Sequence, residues 1–466
     1  MYGIYKVDNP DCGPRALRFS ALIDEEFIKI NHHDREINYI ELDEVDNFLS
    51  DFFEAMQNEN TLNVARSLEC FYHSCFEKDE NSREFIPRHF SNDSINQLEN
   101  SNLFVDFIFC LGNLNEYVIH QKIFCILILI FDQVHESINH FISLGGINVI
   151  LPFMSRQQYP DLLQYVFTIL YYFSMHSQAH AALFNDDFLN RFLDSVDILN
   201  TTFIIDLANS AVKLLQQLVI ALNVSNRSIP KKLIQSTLTI FEGSQLVLKK
   251  NRIDIETVLY IQRTSIRCFI PMCCEQLFIK KVLPIFIQQM FQLHVKNFIE
   301  MTKVIALSYN IENGSPFYRI LLAYLPLFKS EKFVEMLSSD VINEVKCAVL
   351  ELINQLFVFN ECAIMIAKNA KLFIPLSRLI VDGSFELKIA VLKVINAWLT
   401  CTSHDKDTED IVNPNFLLSI IPLLQSSDKL LKSSTEDSLR RIRLLGYRNK
   451  EIVDIIEKVY NGEFED

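Results

Sequence analysis

The sequence predicts an all-α chain, a right-handed α-solenoid of about eight to nine degenerate helical repeats. Its 466 residues are 49% hydrophobic but include only 10 Gly and 13 Pro, which is typical of helical proteins with a large core. No run of alternating Val, Ile and Thr bounded by turns indicates a sheet. Residues 141–177 read as one complete helical unit, and a marker within that unit recurs along the chain.

The complete unit divides into a short helix, a turn, a second helix and a long third helix. Residues 141–144 close the first helix, and Gly145 and Gly146 provide the chain reversal, because glycine reaches positive φ without a Cβ clash. Apolar residues at helical spacing predict the second helix over 147–154. Pro160 takes the first position of the third helix, where its missing N–H costs nothing. The third helix is apolar on most of its circumference, so it needs neighbours on both sides, as in the inner layer of a stack.

The recurring marker is an Ile/Leu-Pro-apolar step inside the second helix. It occurs at Pro152, Pro284, Pro375 and Pro422, and the gaps of 132, 91 and 47 residues are close to three, two and one copies of one period. Pro326 lies off this spacing, so the sequence predicts that the unit around it is irregular.

Long third helices are predicted wherever the apolar i, i+3, i+4, i+7 pattern is sustained. These stretches are residues 60–76, 115–134, 160–176, 201–222, 253–270, 295–309, 341–359, 385–401 and 429–445.

Two stretches carry a resemblance to a known family. GGINVILPFM with the helix that follows it, and residues 361–399, ECAIMIAKNAKLFIPLSRLIVDGSFELKIAVLKVINAWL, resemble units of the armadillo repeat superfamily. The resemblance is clear over 141–223 and 361–445. It implies an armadillo-like or HEAT-like helical repeat that is not an enzyme and that binds protein partners along a concave groove lined by the third helices.

Three regions are expected along the chain. Residues 1–40 predict a poorly ordered acidic lead-in, residues 41–446 the armadillo-like solenoid, and residues 447–466 a C-terminal capping helix and tail. A polar insertion is expected at Asp79–Asn100, where a lengthened loop is a candidate partner contact.

The charge of the chain is strongly segregated. The net charge is −15, and residues 1–100 alone hold 21 acidic and 9 basic residues, a net of −12. Residues 227–303 run the other way, with 12 basic and 5 acidic residues, a net of +7. The pattern fits an acidic end that docks on the basic middle, a site for an acidic partner, or a device for solubility alone.

A candidate partner site lies on two successive third helices of the basic region. Helical spacing places Tyr260, Arg263 and Arg267 on one stripe, and Lys296 and Lys303 on a stripe of the next unit. These residues could bind a carboxylate-rich or phosphorylated segment by charge-assisted hydrogen bonds. The alternative is an ordinary solvated face, since a glutamate lies on each of the two stripes.

A nuclear transport adaptor is a second functional hypothesis. Such armadillo proteins resemble one another in a ladder of Trp and, four residues later, Asn on successive third helices. Here Asn354 and Asn396 fit the Asn position, but Leu350 and Leu392 stand where the Trp is required, and Trp398 is displaced from it. The sequence therefore favours a scaffold or adaptor, with a cargo binder or a regulatory subunit of a larger complex as the alternatives.

No motif indicates catalysis, a cofactor or a metal site. GxSxG, HExxH, Walker A and GxGxxG patterns are absent from the sequence, and Cys70, His73 and Cys75 have no second ligand pair beside them. The scattered cysteines and the lack of a signal peptide predict an intracellular, cytoplasmic protein, with nuclear residence as the alternative. Overall acidity argues against nucleic acid, and the longest apolar run, residues 123–131, is too short to insert in a membrane. The oligomeric state is left open.

Overall fold

A computed structural model of the chain divides into two compact units, residues up to Cys268 and residues from Phe269 onward. Most of the predicted lead-in at residues 1–40 lies outside the described residues. Those are residues 39–78, 85–155, 160–225, 228–249, 255–309, 317–328, 330–338, 340–357, 371–401, 411–447 and 449–461.

The described part of the first unit is a succession of helices, and each predicted long helix in it is confirmed. In chain order the helices are α1 (Leu42–Gln57), α2 (Thr61–Ser74), α3 (Asn92–Asn100), α4 (Leu103–Asn113), α5 (Tyr117–Gln133), α6 (His135–Ser143), α7 (Gly146–Ile150), α8 (Pro160–Ser174), α9 (His180–Leu183), α10 (Asp186–Val196), α11 (Ile205–Val224), α12 (Lys231–Lys249) and α13 (Ile255–Cys268).

Long and short helices of the first unit form two layers. The long-helix layer consists of α2, α5, α8, α11 and α13, and each of these helices packs on the next. The other layer consists mainly of shorter helices, and we call it the short-helix layer although it includes the long helix α12. In it α4 packs on α7, the 3₁₀ segment Leu151–Ser155 that follows α7 packs on α10, and α10 packs on α12. This arrangement buries the apolar flank of each long helix against its neighbours, as the all-round hydrophobicity of residues 160–176 predicts.

At Pro152 the Ile/Leu-Pro marker coincides with a local change of helix type. The helix α7 continues as a 3₁₀ segment over Leu151–Ser155, and Pro152 is its second residue. A proline has no N–H to donate to the preceding turn, so the α-helical ladder is interrupted there. The predicted second helix is therefore an α turn followed by a 3₁₀ turn.

The two glycines of the first predicted turn have different roles. Gly145 adopts φ 93°, the left-handed conformation expected of a glycine at the end of a helix. Gly146 is needed for space instead, because a Cβ there would overlap the Phe141 ring and lie 2.7 Å from the Phe141 carbonyl oxygen.

Replacing Gly146 with alanine is therefore expected to destabilise the first unit by about 1–3 kcal/mol, since the contact with a backbone oxygen can be relieved only by moving α6 or α7. Thermal or urea unfolding followed by circular dichroism measures the change. Gly112→Ala is the matched control, because its Cβ would meet nothing closer than Val149 at 3.9 Å and alanine favours the helix α4. Equal stability of the two variants would contradict the clash.

The described residues include four short strands, one before α1 and three between α2 and α3, a detail that the all-α prediction did not include. They are β1 (Tyr39–Ile40), β2 (Phe76–Lys78), β3 (Phe85–Pro87) and β4 (His89–Phe90). The strand β1 pairs in parallel with β4, and β2 pairs in antiparallel fashion with β3. The last two strands and α3 belong to the predicted polar insertion, which in its described part is ordered secondary structure packed on α1.

Arg88 holds this strand region against the first helix. Its guanidinium donates to both carboxylate oxygens of Glu44 at 2.8 Å, and also to the carbonyl oxygens of Ser74 and Tyr39. The hydrogen bond from Arg88 is the main reason that the pKa of Glu44 lies below its ordinary value of 4.5.

The Arg88 and Glu44 pair should make the stability of the first unit depend on pH. Because the folded pKa of Glu44 is lowered, the pair stabilises the folded state above pH 4.5, and this stabilisation is lost as the pH falls through the folded pKa. The variant Arg88→Met should therefore be less stable than the wild type at pH 7, and the difference should shrink toward pH 3. Urea unfolding at a series of pH values tests this, and a difference that stays constant with pH would contradict it.

In the described part of the chain, one helix is long and apolar enough to cross a membrane by length and composition. It is α11, and 67% of its most apolar window is buried inside the protein. The bent pair of α6 with α7 and its 3₁₀ extension passes the same test only if it is counted as one span. The packing of α11 between α8 and α13 is typical of a core helix.

The second unit repeats the two-layer arrangement in its described part. Its helices are α14 (Leu283–Gln289), preceded by a π-helical segment at Phe278–Val282, α15 (Val295–Tyr309), α16 (Tyr318–Tyr324), α17 (Ser330–Met336), α18 (Asn343–Leu356), α19 (Phe373–Asp382), α20 (Phe385–Cys401), α21 (Pro414–Ile420), α22 (Lys429–Leu445) and α23 (Lys450–Tyr460). The long helices α15, α18, α20 and α22 pack in sequence, and α19, α21 and α23 form the other layer.

Pro326 shares the local geometry of two of the four regular markers, Pro152 and Pro422, whereas Pro284 and Pro375 lie in α-helices. It is the second residue of a 3₁₀ segment, Leu325–Leu327, just as Pro422 is in Ile421–Gln425. The predicted C-terminal helix is present as α23, which packs on α21 and α22 and buries Ile452 and Ile456 completely.

Candidate protein-binding surface

Polar side chains link neighbouring members of the long-helix layer in the first unit. Between α2 and α5, the Lys122 ammonium lies 2.8 Å from a carboxylate oxygen of Glu69 and 3.7 Å from the centre of the Tyr72 ring. Between α8 and α11, the hydroxyl groups of Thr168 and Ser210 are 2.9 Å apart. These contacts fix the axial position of each of these helices relative to its neighbour.

Between α5 and α8, the Tyr172 hydroxyl donates to a carboxylate oxygen of Asp132 at 3.0 Å. Burial raises the pKa of Asp132, and the hydrogen bond from Tyr172 and the positive charge of Lys213 oppose that rise only in part. The charge of Lys213 thus reaches the α5–α8 interface from α11. Because Lys213 is only 5% exposed, its charge is held inside the layer.

The same lysine connects α11 to α13. Its ammonium lies 5.4 Å from the centre of the Tyr260 ring, and the Arg263 guanidinium lies 5.8 Å from the same ring. Both cations are within the range at which an aromatic quadrupole attracts positive charge. We refer to Asn209, Lys213, Tyr260 and Arg263 together as the Tyr260 cluster.

Two polar atoms of the Tyr260 cluster, one on Asn209 and one on Arg263, have no hydrogen-bond partner among the residues that the structure describes. Asn209 lies one helical turn before Lys213 and is 2% exposed, and its Oδ1 accepts no hydrogen bond from any described residue. The buried Nε of Arg263 likewise has no hydrogen-bond partner among the described residues. Arg263 also forms no ion pair within the part of the chain that the structure describes. Buried polar groups are usually satisfied, so these two atoms mark an incompletely satisfied site.

The residues of the sequence-predicted site are divided between the two units, three on α13 and two on α15. Tyr260 and Arg263 are in contact, and Arg267 is exposed one turn further along α13. Lys296 and Lys303 lie on α15, in the second unit, and both are exposed. The Lys303 ammonium is 3.7 Å from a carboxylate oxygen of Glu300, so the predicted neutralisation by that glutamate is present at Lys303.

Sequence reasoning missed Lys213 and Asn209. Their spacing of four residues, within an otherwise apolar stretch of α11, was the available signal. A lysine inside a helix that is apolar on nearly every side must lie either at the surface or against a partner group. In the structure Lys213 is buried and lies against the Tyr260 ring.

The transport-adaptor ladder is absent from the described long helices of the second unit. The Asn396 amide, which stood at the Asn position, accepts from the Ser438 hydroxyl at 2.8 Å and donates to the Ser434 carbonyl oxygen at 3.4 Å. Trp398 is 2% exposed and stacks on Phe357 with ring centres 5.6 Å apart. Both side chains therefore serve contacts within the unit.

Among the described residues, no three His, Cys, Asp or Glu side chains are grouped so that they could hold a metal ion. His73 instead contacts the Glu69 carboxylate at 2.9 Å, while Cys75 is completely buried.

Comparison with known proteins adds information on the fold alone. No protein-family model matches the sequence, and no curated protein matches it. An engineered protein solved by a structural genomics consortium is similar at 13% identity with a TM-score of 0.58, covering 90% of this chain and 93% of its own. This similarity and the two-layer packing of the helices show a helical repeat fold. A designed armadillo repeat protein matches at 16% identity and a TM-score of 0.40, covering 54% of this chain and 99% of its own. Helical repeat proteins in general use extended surfaces for binding.

Proposed function

We propose that this protein is a non-catalytic intracellular scaffold or adaptor that binds an acidic segment of a partner protein on the long-helix layer of its first unit. Arg263 is the anchor of this interaction. The observation that carries the proposal is that the Arg263 guanidinium is half-buried, lies on the Tyr260 ring and has no ion pair among the described residues.

Arginine is suited to this role for geometric reasons. Its planar guanidinium offers several N–H donors in a fixed fork that matches a carboxylate or a phosphate. Contact with the Tyr260 ring restricts the orientation of that plane before a partner arrives, which reduces the entropy lost on binding. A negatively charged group at the exposed edge of the Arg263 guanidinium would supply the ion pair that no described residue provides.

The electrostatic surroundings support an acidic partner. Lys213 holds a second positive charge beneath Tyr260, and Arg267 is exposed one turn away on the same helix. Within the first unit, residues 227–268 hold 8 basic and 3 acidic residues, a net of +5, although the whole chain carries −15. Such local positive potential attracts acidic segments and raises their rate of association.

Direct binding of defined peptides tests the proposal. Fluorescein-labelled peptides with a central Glu-Asp-Glu block in a Gly/Ser background would be titrated with the full-length protein, with fluorescence anisotropy as the readout. A second series carries phosphoserine in place of the acidic block, and a third carries Gln-Asn-Gln. We expect one of the charged series to bind and the neutral series not to bind, with affinity falling as salt is raised. Equal affinity for charged and neutral peptides, or no binding of any series, would contradict the proposed function.

A further inference from the structure

Large apolar side chains are exposed on the same helices that surround the Tyr260 cluster. Met175, directly after α8, is 47% exposed, and Ile220 on α11 is 46% exposed. Tyr171 lies four residues before Met175 and is half-buried, so the two side chains fall on one side of α8. We call Tyr171, Met175 and Ile220 the apolar subsite.

The contacts between helices place the apolar subsite at about the same position along the helix axes as Arg263. Met175 and Gln217 each lie seven residues, or two helical turns, after the hydrogen-bonded pair of Thr168 and Ser210. Ile220 lies two turns after Lys213, on the side of α11 that faces Tyr260. Arg263 is less than one turn from Tyr260. A chain that crosses from α8 over α11 to α13 would therefore meet apolar side chains first and Arg263 last.

The distance between these two ends can be obtained from helix packing. Packed helices lie about 8–10 Å apart, so the two steps from α8 to α13 span about 16–20 Å. An extended chain covers about 3.3 Å per residue, which corresponds to about five or six residues.

We propose that the partner segment carries a large apolar side chain about five or six residues from its acidic group, with the apolar side chain seated on Met175 beside Ile220, at the α8 end of the crossing, and the acidic group on Arg263. This inference rests on the proposed function and specifies the partner as an extended segment of mixed chemistry. Exposed apolar side chains beside a positively charged site fit such a segment, because its apolar residue loses contact with water as its charge is neutralised.

A spacing series tests the inference. Peptides keep the best-binding acidic or phosphorylated group fixed, and a single Leu is moved from one to ten residues away on either side in the Gly/Ser background. We expect the affinity for the full-length protein to rise about tenfold when Leu stands about five or six residues from the charged group on one side only.

Matched variants locate the effect. In the double variant Met175→Ser with Ile220→Ser, the gain from Leu should disappear while the affinity for the peptide without Leu is unchanged. Leu246→Ser on α12 removes an apolar side chain of similar exposure, 55%, from the other layer and should leave the spacing preference intact. Thermal unfolding confirms that the variants are folded.

The outcomes separate this inference from the proposed function. If the charged peptides bind but Leu has no effect at any spacing, or if the double variant keeps the preference, the inference is overturned and the proposed function stands. If no peptide of any series binds, both are overturned.

Discussion

Replacing Phe131 with alanine is expected to lower the free energy of unfolding of the first unit by about 3–5 kcal/mol. Phe131 is completely buried on α5, where helices of both layers meet. Its ring centre lies 5.6 Å from that of Phe141, 6.0 Å from that of Phe173 and 6.4 Å from that of Phe104. Alanine would leave a cavity between α4, α5, α6 and α8 and would remove these three ring contacts, of which the one with Phe141 is edge-to-face.

Urea unfolding monitored by circular dichroism measures this effect. Phe109→Ala is the matched control, because Phe109 lies on α4 but is 51% exposed, so its loss should change stability by no more than about 0.5 kcal/mol. Similar losses for the two variants would show that the ring cluster is not the centre of the first unit.

Arg263→Glu is expected to weaken the binding of an acidic peptide by at least about 100-fold, because it removes charge-assisted hydrogen bonds and places a like charge against the ligand. Arg263→Lys keeps the charge but loses the planar fork and the contact of that plane with Tyr260. An intermediate loss of about tenfold is expected for it. Anisotropy titrations with one peptide compare the three proteins directly.

Lys231→Glu is the control for net charge, since this exposed lysine lies at the start of α12, in the other layer. It should leave the affinity nearly unchanged. A separate double variant, Lys296→Glu with Lys303→Glu, measures what the two predicted residues of the second unit contribute. If Lys231→Glu weakens binding as much as Arg263→Glu does, the interaction depends on overall charge and not on Arg263.

The architecture could be predicted from the sequence because its signals are local. The apolar pattern of residues 160–176 specifies both a helix and its burial on nearly all sides, and Pro160 and Gly145 mark the ends of elements through their own backbone preferences. The strands around Phe76 and Phe90 were missed because they are two or three residues long, too short for an alternating pattern.

The candidate site could be predicted only in part because it depends on the axial position of one helix relative to its neighbour. Spacing within α13 is sufficient to align Tyr260 with Arg263. No spacing within a single helix shows that Lys213 reaches the same ring across an interface, or that the Asn396 amide is occupied by Ser438. These contacts are set by packing between repeats, and the sequence of either helix alone does not record them.

Hydrogen–deuterium exchange of the full-length protein, with and without a saturating acidic peptide, tests the location of binding most directly. If the peptide lies on the long-helix layer of the first unit, amide exchange should become slower in α8, α11 and α13. In α10 and α12 the exchange of amides that do not contact those three helices should be unchanged. Protection confined to the short-helix layer or to the second unit would contradict this account.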